Sequence, residues 1–112
     1  MSDLVVFVET QADCIVINLQ GSADMDNSAK FDAAIDDALK HKPRIVVVDL
    51  SGVRYMNSLA IGAIVRLHQA LKKAGGQARI AAPSAYAESV LKTSKITTGI
   101  AVFPTSAAAL GG

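Results

Sequence analysis

Arg44-Ile-Val-Val-Val-Asp-Leu50 runs into Ser51-Gly-Val-Arg54 and then Tyr55-Met-Asn-Ser-Leu-Ala-Ile-Gly62. The unbroken β-branched centre of the first segment reads as a strand buried on both faces, and therefore central in a sheet covered by helices. Ser51 to Arg54 reads as a turn. Beyond it, Leu59, Ile61, Ala63, Ile64, Leu67, Ala70 and Leu71 recur at helical spacing, which predicts a long helix over 58–74. Gly75-Gly76 ends that helix as a C-terminal glycine does.

Upstream, Leu4–Val8 and Cys14–Leu19 are β-branched and aromatic runs separated by polar Glu9–Asp13, which predicts an antiparallel pair of strands. Gly21 closes the second run. Phe31, Ala34, Ile35, Ala38 and Leu39 then keep a 3.6-residue period, with candidate caps among Asp24–Ser28, and Pro43 stops this first helix. Downstream come a short strand over 77–82, a helix over 85–92, a last strand over 100–103 and a helical turn over 106–110. The order ββαβαβαβα implies one α/β domain over residues 1–112, with a mixed, mostly parallel sheet of about five strands flanked by helices.

The chain has 112 residues, enough for one core. Of its 51% hydrophobic residues, 19 are alanine, so the share of large apolar side chains is ordinary. A net charge of +1 gives no footprint for nucleic acid or an anionic membrane. No apolar run approaches the roughly 20 residues of a spanning helix, and the first residues lack a signal peptide's pattern, so a cytoplasmic protein without membrane insertion is expected. The lone Cys14 begins an apolar run and reads as a buried hydrophobe. His41 and His68 have no second ligand at metal spacing, Gly75-Gly76 lacks the Lys-Ser/Thr of a phosphate loop, and no nucleophile, base and orienter stand together. No metal, cofactor or catalysis is implied. Asp49 at the end of the central strand invites comparison with a receiver's phosphoacceptor aspartate, but no acidic pair follows the first strand and no lysine follows the last.

Residues 45–62 resemble a motif of the STAS domains, found in anti-sigma factor antagonists and in the tails of sulfate transporters. There a buried strand and Asp-Leu-Ser lead through a hydrophobic step to Asp-Ser at a helix start. Gly21-x-x-Asp24 is similar to the family's glycine-to-aspartate step, and Val90-Leu-Lys-Thr-Ser-Lys-Ile96 is similar to its Leu-x-x-Thr-Gly-Leu segment, with Lys95 in the glycine position. The resemblance implies that Ser58 is the serine a partner kinase phosphorylates. Asn57 stands for the usual aspartate, Leu59 for a small hydroxylic residue and Ala60 for glycine. It further implies an anti-sigma factor antagonist, a monomer or weak dimer. Unphosphorylated, it binds an anti-sigma serine kinase with a histidine-kinase-like ATPase fold, and a serine phosphatase resets it. The alternatives are a non-switching STAS subunit of a lipid-transport or signalling complex, and a small-ligand-binding STAS module.

The residues have plainer readings too. Ser58, where loop becomes helix, is expected to cap it. A phosphate there would be tolerated by the helix N-terminus, while its roughly −1.5 to −2 charge would disturb any surface packed against it. Asn57 is read as a cap or a turn residue. Tyr55, Met56 and Leu59 are either core or a partner-covered patch. Asp24 and Asp26 are either caps of the first helix or part of the surface beside Ser58.

Overall fold

The computed structural model describes residues 4–24, 27–96 and 99–111. The strands are β1 (Leu4–Gln11), β2 (Cys14–Ala23), β3 (Ile45–Met56), β4 (Gln77–Ala81) and β5 (Val102–Phe103); the helices are α1 (Ser28–Lys40), α2 (Ser58–Lys73), α3 (Ala85–Ser94) and α4 (Ser106–Gly111). One sheet takes the order β1-β2-β3-β4-β5, antiparallel between the first two strands and parallel thereafter. The element order and the mixed five-stranded sheet are those expected from the sequence.

Alternation along the strands sorts the core into two layers. Ile15, Ile17, Leu19, Val46, Val48, Leu50, Ala78 and Ile80 meet Phe31 and Ile35 of α1, Ile64, Leu67 and Leu71 of α2, and Leu91 of α3. On the opposite face Cys14, Val16, Ile45, Val47 and Ala81 pack with Ala109 and Leu110 of α4 and with Phe103. Residues 45–50 are all buried, as a central strand requires. Cys14 is buried as expected, and that burial is the main cause pushing its thiol above the ordinary value.

The expected turn at Ser51–Arg54 is instead strand. β3 continues to Met56, pairing with β2 as far as Ala23↔Met56, and β2 correspondingly runs through Gly21. Asn18↔Asp49 is followed by Gln20↔Gly52, and Gly21↔Val53 by Ser22↔Tyr55, so β3 twice carries one residue more than its partner. These are bulges, the other structure a glycine inside a strand signals. Gly52 sits at the first, where a Cβ would lie 2.7 Å from Gln20 Cγ. The hairpin turn also tightens to Ala12-Asp13 between the paired Gln11 and Cys14.

Helix α2 ends as the sequence reading expects: Gly76 N–H donates to Leu71 C=O and Gly75 N–H to Lys72 C=O, with Gly75 at φ 88°. His68 on α2 is not merely solvated; its Nδ1 accepts from the Ala78 N–H at 3.1 Å, joining the helix to β4.

Lys95, at the position matched to the family's glycine, closes α3 in the left-handed region at φ 60°. A side chain there costs energy that glycine avoids. Lys95→Gly is therefore expected to raise stability by up to about 1 kcal/mol, read from urea unfolding; an unchanged or lower midpoint would contradict this strain.

Candidate functional site

The end of β3 hands the chain to α2 through one residue. Asn57 keeps an extended backbone (φ −108°, ψ −177°), and its side-chain oxygen accepts from the Ala60 N–H at 3.1 Å. Its own N–H donates to Ala23 C=O and its C=O accepts from the Ile61 N–H, both at 3.2 Å. Asn57 is thus the cap, and the expectation that Ser58 caps the helix is corrected. A cap must still be extended so that its side chain can reach back to the third helical N–H. Ser58 is already the first helical residue. Its side chain points out, is exposed, and has no hydrogen-bond partner among the described residues.

The electrostatics suit an anion at Ser58. No acidic residue lies in the first turn of α2, and Lys72 and Lys73 lie in its last. The Ala60 and Ile61 N–H groups are taken up by Asn57. Those of Ser58 and Leu59 remain at the positive end of the helix dipole.

The other expected partner-facing residues divide. Leu59 and Tyr55 are exposed (48% and 44%), while Met56 is 2% exposed and belongs to the core. Met56 therefore leaves the exposed set, because the second bulge turns Tyr55 outward and Met56 back in. Asp24 does not cap α1, whose N-cap is Asn27. The Asp24 carboxylate instead accepts from the Asn27 N–H at 3.2 Å and from its side-chain amide at 3.0 Å. Asp24 and Leu59 line the same narrow cleft between α1 and α2, so these two are brought together. Asp26 lies outside the described residues.

On the other side of α2, Ser58 borders an open groove of about 310 Å³ against α3. Its walls are Ile61, Ser89, Val90 and Thr93, and Met56 forms its base. Tyr86, missed in the sequence, completes this surface: its ring stacks on Tyr55 at 6.0 Å between centroids and its hydroxyl donates to Met56 C=O at 3.3 Å. Ser84 fixes the start of α3 to β3, donating to Val53 C=O at 2.7 Å while accepting from the Ala87 N–H. The one available signal for Tyr86 was an aromatic residue out of phase with Ala87 and Leu91, the buried positions of α3. Ser58 thus stands on a ridge with a cleft on one flank and an apolar groove on the other.

Asp49 lies away from this ridge, under α4. Its carboxylate accepts from Ser106 Oγ at 2.5 Å and from the Ser51 N–H at 2.9 Å. Burial pushes its pKa up, but the hydrogen bonds from Ser106, Ser51 and Asn18 outweigh this and hold it below the ordinary 3.8. Arg79, also buried, donates to Ala109 C=O at 2.6 Å and lies over the Phe103 ring. Both groups hold α4 in place. Among the described residues no group of His, Cys, Asp or Glu side chains is placed to hold a metal, and no helix is long and apolar enough to cross a membrane.

The STAS domain family model matches residues 6–109. No curated protein matches the chain. Among solved structures, an anti-sigma factor antagonist from Mycobacterium paratuberculosis is 21% identical, covering 97% of this chain and 92% of its own, with a TM-score of 0.89. The Bacillus anti-sigma factor antagonist SpoIIAA is 18% identical in both its unphosphorylated and its phosphorylated form, with TM-scores of 0.82 and 0.75. The two cover 95% and 96% of this chain and 93% and 97% of their own. The STAS domain of a SulP transporter from Vibrio cholerae is 19% identical over 91% of this chain and 81% of its own, at a TM-score of 0.68.

Proposed function

This chain belongs to the STAS domain family, and from that premise we propose that it is an anti-sigma factor antagonist switched by phosphorylation of Ser58. Unphosphorylated, it binds an anti-sigma serine kinase with a histidine-kinase-like ATPase fold through the ridge of Asp24, Tyr55, Asn57, Ser58 and Leu59, extended by Tyr86. Phosphate on Ser58 breaks that complex and a serine phosphatase restores it. The protein acts by binding and performs no turnover of its own. One observation carries the reading: Ser58 presents an exposed hydroxyl, without a partner among the described residues, at the start of α2 between exposed apolar side chains. Its likeness to SpoIIAA, solved in both phosphorylation states, supports it.

A kinase with a histidine-kinase-like ATPase domain is expected to be captured on the immobilised protein, and incubation with that captured kinase and ATP is expected to add one phosphate, which Ser58→Ala should abolish. Because Asn57 holds the cap, Ser58→Ala should leave stability within about 1 kcal/mol of the parent. Phosphate on another residue would refute the assignment.

A second reading is favoured by Asn57 itself. Its amide is spent on capping, and no carboxylate lies in the first turn of α2 to orient a kinase or its metal. A constitutive STAS binding subunit of a transport or signalling complex would look the same. Asn57→Asp separates the two, because an aspartate keeps the cap: faster transfer to Ser58 supports the switch. No phosphorylation of either protein, with only transporter subunits captured, supports the constitutive subunit.

A further inference from the structure

We propose that the end of the domain opposite Ser58 is a docking surface for an anionic lipid bilayer, an inference that does not depend on the phosphoswitch. β2, β3, β4 and β5 are parallel neighbours, and α1, α2 and α3 each connect one to the next. All three helices therefore run back along the sheet and end together beside the starts of the strands. Backbone bonds tie that end into one surface: the Arg44 N–H donates to Asp13 C=O at 2.8 Å, and the Gln77 N–H to Arg44 C=O at 3.0 Å. Gly76 is packed so closely there that a Cβ on it would lie 2.5 Å from the Arg44 carbonyl oxygen. α2 has 16 residues, so Lys73 at this end lies about 24 Å from Ser58 at the other.

The net charge of +1, which argues against a membrane when averaged over the chain, conceals how unevenly charge is placed. Lys40, Lys42, Arg44, Lys72, Lys73 and Lys95 gather at these helix and strand ends, and all are exposed. The acidic side chains beside them are Asp13, paired with Arg44 at 2.9 Å, and Asp36 and Asp37 in the last turns of α1. Six cations against three anions leave this end at +3 and the rest of the chain at −2. Lys40, Lys42, Lys72 and Lys73 have no ion-pair partner among the described residues. Lysines also offset the negative end of a helix dipole. Here, however, lysine is kept even where the backbone favours glycine, at Lys42 (φ 50°) and Lys95 (φ 60°).

The chemistry of the patch selects a bilayer over a protein. Protein interfaces are centred on aromatic and apolar anchors and are poor in lysine. Five of these six cations are lysine, and none of the exposed large apolar side chains among the described residues lies at this end. Clustered point charges without an apolar anchor suit a diffuse layer of anionic headgroups, to which the protein adsorbs without insertion. Docked in this way, it holds the ridge of Ser58 away from the bilayer.

The full chain is expected to co-sediment at low salt with vesicles of mixed phosphatidylglycerol and phosphatidylcholine, to be released by about 0.5 M salt, and to ignore vesicles of phosphatidylcholine alone. Lys73→Glu and Arg54→Glu change the net charge equally, at opposite ends of the domain. The first is expected to weaken vesicle binding at least about tenfold and the second less than about twofold. Lys42→Gly should weaken binding several-fold while raising the unfolding midpoint, because it removes a charge and a left-handed side chain together. Lost binding in that variant cannot come from lost folding. No binding to the anionic vesicles at low salt would overturn the proposal. So would equal losses from Lys73→Glu and Arg54→Glu, or a DNA duplex that binds at the salt concentration where the vesicles do not.

Discussion

Ser58→Glu should weaken binding of the captured kinase by at least about 100-fold, equivalent to about 2.7 kcal/mol, while the isolated protein melts within a degree or two of the parent. The asymmetry follows from where the residue sits. In the free protein a carboxylate at the first position of α2 faces water and the positive end of the helix, which stabilises it slightly. In a complex the same charge is trapped beside Leu59, Tyr55 and the apolar groove, where it must shed water with no partner positioned for it. A phosphate, with more charge and three acceptor oxygens, should do at least as much. Isothermal titration of the variant and of the phosphorylated protein measures this. An affinity unchanged by either would show that the complex does not cover Ser58.

The second large effect is on the fold. Asp49→Ala should cost about 3 kcal/mol at pH 7, since it removes a buried carboxylate that accepts from Ser106 and Ser51 and leaves those donors unpaired. The loss should depend on pH. The folded pKa of Asp49 lies below its ordinary value, so its charge contributes fully above about pH 4 and the contribution erodes as pH falls through the folded value. The gap between parent and variant is therefore expected to narrow below pH 4 in guanidinium unfolding followed by circular dichroism. A gap that stays constant or widens in acid would mean the carboxylate is not held ionised under α4.

Much of this architecture was legible because it rests on local pattern. The β-branched run at 45–48, the helical spacing from Leu59 to Leu71 and the stop at Gly75-Gly76 each specify one conformation. The errors arose where a residue's meaning depends on a distant strand. Ser51-Gly52 has the chemistry of a turn, and only the pairing of β3 with β2 makes it a bulge. That same bulged stretch decides that Tyr55 faces out and Met56 in, an orientation that a period-two reading of an unbulged strand cannot supply. Ser58 and Asn57 are both good caps by type, and the choice between them rests on Asn57 remaining tied to Ala23 across the sheet. The groove beside Ser58 was not visible for the same reason: Ile61 and Val90 belong to helices far apart in sequence.

The agreement between chain order and spatial order in the sheet has a consequence during synthesis. As the polypeptide leaves the ribosome, each strand meets an edge laid down by its predecessor, and none has to be threaded between two strands already joined. Assembly can be vectorial, with contacts that stay close in sequence and favour rapid folding. The vulnerable moment falls between the emergence of β3 and that of β4. Until β4 arrives, Ile45-Val-Val-Val48 forms the growing edge, the most apolar one the nascent chain ever presents. A translational pause that falls after β3 has cleared the ribosome and before β4 has would prolong that exposure and should be the pause most prone to co-aggregation of nascent chains.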